Sequence, residues 1–280
     1  MRILLSGRNG QVGWELARLL PTIGEVVSTG RGELDLADAD AIRRIVREAK
    51  PQLIVNAAAY TAVDKAESEP ELAMRINGTA PGVLAEEAKR QGARLVHYST
   101  DYVFDGSKRG AYVEDDAPNP LSVYGRSKLA GERAIRDIGG RHLILRTSWV
   151  YGPRGKNFFL TIARKAASGE RLRVVADQRG VPTTSGFLAE KTLALLKGGA
   201  SGLLHLVPAG ETTWYDFARE IVQLTGSKSE VQPIKAGEFP AAARRPANSV
   251  LDNRKATAAL GAPMPDWRTL LGAVRESAEL

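Results

Sequence analysis

The chain has 280 residues, 43% of them hydrophobic and 25% charged, which is globular composition and enough length for one large domain or two unequal ones. It has no cysteine, which excludes a disulfide scaffold, a thiolate metal centre and a cysteine nucleophile. A formal charge of +7 leaves nucleic acid, an anionic membrane surface and small anionic ligands as options, but there is no block of five or more cations.

In chain order, a short apolar strand is expected over 2–6, then the glycine loop Gly7-Arg8-Asn9-Gly10-Gln11-Val12-Gly13, then a helix over 11–20 that stops at Pro21. Glycines between a strand and a helix allow a tight turn and close backbone approach to a pyrophosphate, which the helix N-terminus attracts. A second strand over 25–28 leads to Ser28-Thr29-Gly30-Arg31, where an acid for an NAD ribose would ordinarily stand; Arg31 instead offers a cation to a 2′-phosphate. NADPH is therefore plausible, with NADH still open. A helix over 41–49 before Pro51, a strand over 53–56, a helix over 79–90 and a strand over 94–99 continue the alternation, and a fifth strand is expected over 142–147. Such alternation builds a Rossmann-type doubly wound parallel α/β sheet.

Between the last two strands, Tyr124-Gly125-Arg126-Ser127-Lys128 places a phenol and an ammonium one helical turn apart, so the ammonium is expected to lower the phenol pKa and make Tyr124 a proton donor. Thr100, where the fourth strand ends, can hydrogen-bond a carbonyl oxygen. Beyond Gly152-Pro153 the elements shorten, although Thr213, Phe217, Ile221, Leu224 and Gly226 mark a capped helix. The expected division is a cofactor-binding core over 1–152 and a smaller, mainly substrate-binding portion over 153–280, with some elements returning to the core. The basic stretch 154–173 has no assigned role. His97, His142 and His205 read as packed strand residues, and Asp115-Asp116 as a polar turn.

The glycine loop, Thr100 and the Tyr124/Lys128 pair together resemble the extended short-chain dehydrogenase/reductase family. Within it, the runs at 56–67, 99–106 (Ser-Thr-Asp-Tyr-Val-Phe-Asp-Gly) and 146–152, with Arg245-Pro246 and Leu251-Asp252, are similar to the dTDP-4-dehydrorhamnose reductases over nearly the whole chain. The resemblance implies hydride transfer from NADPH or NADH to the C4 ketone of dTDP-4-dehydro-L-rhamnose, the last step towards dTDP-L-rhamnose. It implies Tyr124 as proton donor, Lys128 as its partner and holder of the nicotinamide ribose, and Thr100 as the hydrogen-bond partner of the reacting oxygen. Gly7, Gly10, Gln11, Val12, Gly13 and Arg31, then Asp35 and Leu36 near the adenine, then Ala59, Tyr60 (through its backbone) and Thr61, would bind the cofactor. Thr100, Asp101, Tyr102 and Trp149 would meet the sugar nucleotide. Mg²⁺ at Glu15 is a further possibility of the family.

The sugar nucleotide and the cofactor each carry a pyrophosphate, which accounts for the positive excess without nucleic acid. No apolar run approaches the roughly 18 residues of a membrane span and no leader pattern opens the chain, so a cytoplasmic monomer or homodimer with no membrane partner is expected. A non-catalytic regulatory subunit and a related epimerase or dehydratase are the rival readings. A dehydratase would want Asp-Glu after the threonine, where this chain has Asp101-Tyr102.

Overall fold

The structure is a computed structural model that describes residues 1–277. Strand β1 (Arg2–Ser6) is followed by helix α1 (Gln11–Leu19), β2 (Glu25–Thr29), helix α2 (Ala39–Ala49), β3 (Leu53–Asn56), β4 (Arg94–Thr100) and β5 (His142–Thr147). A helix over Ala80–Arg90 connects β3 to β4, and one over Val123–Ile138 connects β4 to β5. Helix α1 gives way to a 3₁₀ turn carrying Pro21, and α2 is capped by the Asp38 carboxylate, which accepts from Asp40 N and Ala41 N. At the other end of α2, Lys50 takes a left-handed conformation (φ 46°) because the following Pro51 disfavours a further helical residue.

The five strands pair in parallel in the order β5, β4, β3, β1, β2. A sixth, Gly202–His205, adds itself beside β5 from the C-terminal half of the chain. Successive side chains of β1 point to opposite faces, and both faces are apolar. Ile3 and Leu5 join a core with Leu16 of α1 and with Phe187, Leu188 and Leu195 of a helix over Ser185–Lys197, while Leu4 joins Ile42, Val46, Leu84 and Ile135 on the other. The sheet is therefore covered on both sides, and its strands end together at one carboxyl edge where a crevice forms.

Most of the remainder builds a separate core. Helices Phe158–Ala167 and Trp214–Thr225 pack with the parallel strand pair Leu172–Val175 and Val231–Ile234 around Tyr151, Phe159, Phe217 and Trp267. Thr213 caps the second of these helices and Gly226 ends it in a left-handed conformation, as the sequence indicates.

One close approach aims the Val123–Ile138 helix. A Cβ on Gly131 would lie 2.2 Å from the Asn77 carbonyl oxygen, so only glycine lets the helix lie this near the turn over Arg75–Thr79. Gly131→Ala is expected to lower stability by about 1–3 kcal/mol through overpacking. A urea unfolding midpoint equal to the parent's would show that the helix has room there.

Candidate active site

The glycine loop leaves β1 with Gly7 at φ +83°, where an added Cβ would come 2.7 Å from Ala58 N, and a Cβ on Gly13 would fall 1.9 Å from the Gly7 carbonyl oxygen. Gly7 N and Arg8 N donate to Thr29 O, and Gly10 N donates to Gly7 O, which closes the turn. Gly10 caps α1 without a side-chain hydrogen bond and the first turn holds no acid, so the N–H groups of Gln11, Val12 and Gly13 are left to face an anion. A dinucleotide pyrophosphate fits this cradle. The Gln11 side chain is turned aside, accepting 2.8 Å from Asn157 Nδ2.

Just beyond β2, Arg31 is exposed, and a second cation, Arg8, reaches the end of the same strand. Arg8 Nη1 donates 2.8 Å to Ser28 O, and its guanidinium pairs with Glu33. The Gly30 N–H and then Arg8 hold the Glu33 carboxyl below its ordinary range, so this rim carries both charges. Asp35 is exposed and accepts from Ala37 N, whereas Leu36 is packed into the core with Leu34, which leaves Leu36 only its backbone for a ligand. Beyond β3, Ala59 and Tyr60 are half-buried and Thr61 is exposed. The buried Asn77 holds the Tyr60 backbone from both sides, accepting from its N–H at 2.8 Å and donating to its carbonyl at 2.9 Å, and donates to Ser127 Oγ. Sequence reading missed Asn77; its signal is the π-helical turn on which it stands.

Thr100 ends β4 at the carboxyl edge. Its hydroxyl accepts from Tyr102 N and donates 2.9 Å to Asp101 Oδ1, and it stands beside the Tyr124 phenol. Ser122 caps the Val123–Ile138 helix, and a Cβ on Gly125 would sit 2.2 Å from Tyr102 O, so glycine lets the first turn bring Tyr124 against this loop. The Tyr102 ring meets the Tyr124 ring edge-on at 5.8 Å. One turn further, Lys128 is buried and donates 2.7 Å to Tyr98 O, with His97 Nε2 at 3.2 Å.

The expected lowering of the tyrosine by the lysine is not what this arrangement gives. Burial pushes the Tyr124 phenol up to about 12, Thr100 opposes that rise, and the Lys128 charge is directed to His97 and the Tyr98 carbonyl instead. Burial also brings Lys128 down to about 8, against the pull of Glu132. His97 is thus more than the packed strand residue that its position suggested, while His205 is buried against Tyr112 O and His142 lies near Gly140 O.

Trp149 follows β5 in a left-handed conformation (φ 47°) and stacks on Trp214 at 3.5 Å between ring centroids, with Gly180 leaving space for the indole. A strained non-glycine residue is common at ligand-binding positions. Beside this stack opens a cavity of ≈ 820 Å³ lined by Phe158, Trp214 and Phe239 and by Lys165, Arg171, Arg173, Arg244 and Arg245. Arg245 ties the cavity to the centre, because it ion-pairs with Asp64 at 2.6 Å and hydrogen-bonds the Tyr102 phenol. The basic stretch therefore divides: Lys165, Arg171 and Arg173 line the cavity, and Arg154 lies over the Trp14 ring.

Glu15 does not make a metal site. It bonds Ser185 and lies 3.8 Å from Arg18, burial raises its pKa, and no group of three or more His, Cys, Asp or Glu is placed to hold an ion among the described residues. The Mg²⁺ expectation is withdrawn on that ground. Asp115 and Asp116 pair with Lys255 and Lys108 on the surface. No helix among the described residues is long and apolar enough to cross a membrane.

A doubly covered parallel sheet, a pyrophosphate cradle and a Thr100–Tyr124–Lys128 group at its carboxyl edge define a Rossmann-type protein of the extended short-chain dehydrogenase/reductase class. The chain belongs to the family described as "RmlD substrate binding domain", whose sequence profile matches residues 1–279. It is 47% identical to a dTDP-4-dehydrorhamnose reductase of Burkholderia thailandensis, with 97% of each chain covered, and 44% identical to that of Escherichia coli, with 96% of this chain and 95% of the relative covered. A solved dTDP-4-dehydrorhamnose reductase of Bacillus anthracis in complex with NADP superposes with a TM-score of 0.95 at 35% identity, covering 99% of both chains.

Asp101 gives a test of this electrostatic setting. Burial pushes its carboxyl up to about 7 against bonds from Ser249 and Thr100, and its Oδ2 makes no well-formed hydrogen bond among the described residues. A folded pKa above the unfolded one means that the folded state binds the proton more tightly, so stability from this group is present in acid and lost as pH rises towards 7. Asp101→Asn is thus expected to gain about 1–3 kcal/mol relative to the parent between pH 5 and pH 8. Thermal melts showing the same difference at both pH values would contradict a buried carboxyl that holds its proton up to about 7.

Proposed function

We infer that this protein uses NAD(P)H to reduce the C4 ketone of dTDP-4-dehydro-L-rhamnose to dTDP-L-rhamnose. The observation that carries the reading is Thr100 and Tyr124 side by side at the edge of the sheet, next to a pyrophosphate cradle and one turn from a buried lysine. NAD(P)H, when bound, supplies the hydride. As the carbonyl electrons move onto oxygen, Tyr124 donates its phenolic proton to that oxygen, and its high pKa keeps the proton in place until the negative charge develops. Thr100 would hydrogen-bond the same oxygen, and the Lys128 ammonium would offset the phenolate charge that donation leaves behind.

The same reading divides the labour between 1–152, as the cofactor-binding core, and 153–280, as the mainly substrate-binding portion. The cradle and the three polar groups belong to the first part. The second part supplies most of the ≈ 820 Å³ cavity, whose aromatic rings suit a pyrimidine base and whose arginines suit a diphosphate. Asp101, Tyr102 and Trp149 at the junction would then meet the sugar. The intact Tyr124 and Lys128 weigh against a purely regulatory subunit.

The rim beyond β2 supports use of both cofactors. Arg8 and Arg31 offer charge to a 2′-phosphate, while Glu33 offers an acceptor to a free 2′-hydroxyl and repels the phosphate. Glu33→Gln is expected to raise the kcat/KM ratio of NADPH over NADH by about tenfold, the size of one lost charge contact. An unchanged ratio would remove Glu33 from the cofactor site. For the reaction itself, NADPH oxidation followed at the nicotinamide band with dTDP-4-dehydro-L-rhamnose should be lowered about 10²-fold or more by Tyr124→Phe, with cofactor affinity kept. Near-parental turnover in that variant would overturn the assignment of the donor.

A further inference from the structure

Lys128 is not held by backbone alone. His97 is 1% exposed, with its Nε2 3.2 Å from Lys128 Nζ and its Nδ1 3.1 Å from Asn56 Nδ2, while Ser6 Oγ donates 2.7 Å to Asn56 Oδ1. Ser6, Asn56 and His97 are direct register partners on β1, β3 and β4, so their side chains form a buried polar row across three strands that ends on the lysine. Such a row of neutral groups inside a sheet is costly unless every donor finds an acceptor.

We propose that His97 is a positioning residue for Lys128: a neutral imidazole, protonated on Nδ1 and held in that tautomer by Asn56 and Ser6, accepts a Lys128 N–H at Nε2 and so keeps the amine an ammonium. This rests on the reading of Lys128 as the catalytic cation. An ammonium has three donors and no acceptor, so the alternative tautomer would set Nε2–H against a Lys128 N–H. With Nδ1 protonated, the Asn56 amide presents its oxygen to His97 and its nitrogen to Ser6, which a half-turn about Cβ–Cγ provides. Two Lys128 donors are then committed, to Tyr98 O and His97, and the third is left for the cofactor ribose.

The charges around the pair agree with this. Burial and the Lys128 charge hold the imidazole well below its usual range, so it stays a neutral acceptor. On the lysine's own helix stand Tyr124 and Glu132. The Glu132 carboxylate is already engaged by Arg146 of β5 and Ser99 of β4, while the groups reaching in from β3 and β1, Asn56 and Ser6, are uncharged. His97 is thus the side chain that meets the Lys128 nitrogen directly across the helix–sheet interface.

The test is the titration of Lys128 in the full chain carrying [ε-¹³C]lysine, with its resonance assigned through Lys128→Met. His97→Leu should lower the Lys128 titration point by about one pH unit, the size of one hydrogen bond to a charged group. His97→Gln, whose amide oxygen can replace Nε2, should recover at least half of that shift. The alkaline limb of kcat should fall with the titration point while KM for the sugar nucleotide stays within about twofold, a separation that a general loss of packing would not produce. A parental titration point in folded His97→Leu overturns the proposal. If His97→Leu does not fold, His97→Asn, which keeps polarity towards Asn56 but withdraws the acceptor from Lys128, is read in the same way. The NMR titration needs no substrate, so a parent chain without turnover would count against the reductase reading alone.

Discussion

The site depends on one buried ion pair. Arg146 of β5 and Glu132 of the Val123–Ile138 helix are each 1% exposed in their side chains and meet through two hydrogen bonds of 2.9 and 2.6 Å, with Ser99 of β4 donating to the same carboxylate and the Phe104 ring facing the guanidinium at 5.1 Å. Burying two charges is expensive, and an apolar pair of similar volume would often be as stable, so the value of this one lies in direction rather than in energy. A forked guanidinium accepts a carboxylate in few orientations. Glu132 can satisfy both strands only when the helix lies at one height and rotation, and that rotation sends Lys128 to His97 and Tyr124 to Thr100.

Glycines make the close approach possible, while the ion pair selects one arrangement among those the glycines would permit. Gly125 admits the Tyr102 loop and Gly131 admits the Asn77 turn, so the helix is pinned in its first turn and at its middle. The same economy appears on the other side of the crevice. Gly180 leaves space for the Trp149 indole, whose left-handed backbone turns it onto Trp214 and joins the second core to the sheet. Arg245, bonded both to Asp64 beyond β3 and to Tyr102, ties the cavity to the reacting centre.

Much of this was legible in the sequence where the signal is local. Apolar runs of four to six residues bounded by glycine and proline placed five strands, and the glycine loop and Tyr-x-x-x-Lys spacing placed the two halves of the site. The sixth strand, Gly202–His205, is short and separated from its neighbour β5 by more than fifty residues, so no local period marks its place in the sheet. The cavity was invisible for the same reason, since its wall joins residues near 160–175 to residues near 236–245 only after the second core forms. Asn77, Arg8 and Glu33 were missed because their roles arise from whose backbone or charge lies opposite. Helical spacing correctly put Tyr124 and Lys128 on one face but could not say which acceptor the ammonium would choose.

That choice bears on the timing of proton transfer. A phenol brought down to neutral pH by an adjoining ammonium would exchange its proton readily. Here burial keeps the Tyr124 proton bound, up to about 12, and the Lys128 charge is spent on His97 and a backbone carbonyl until a phenolate exists to attract it. With Tyr124 as the proposed donor, proton release would be coupled to the appearance of negative charge on the substrate oxygen, the event that hydride delivery to a ketone produces. By microscopic reversibility the same tyrosine would take that proton back in the reverse reaction, so its setting would govern when the proton moves and leave the direction to the overall free energy of the reaction.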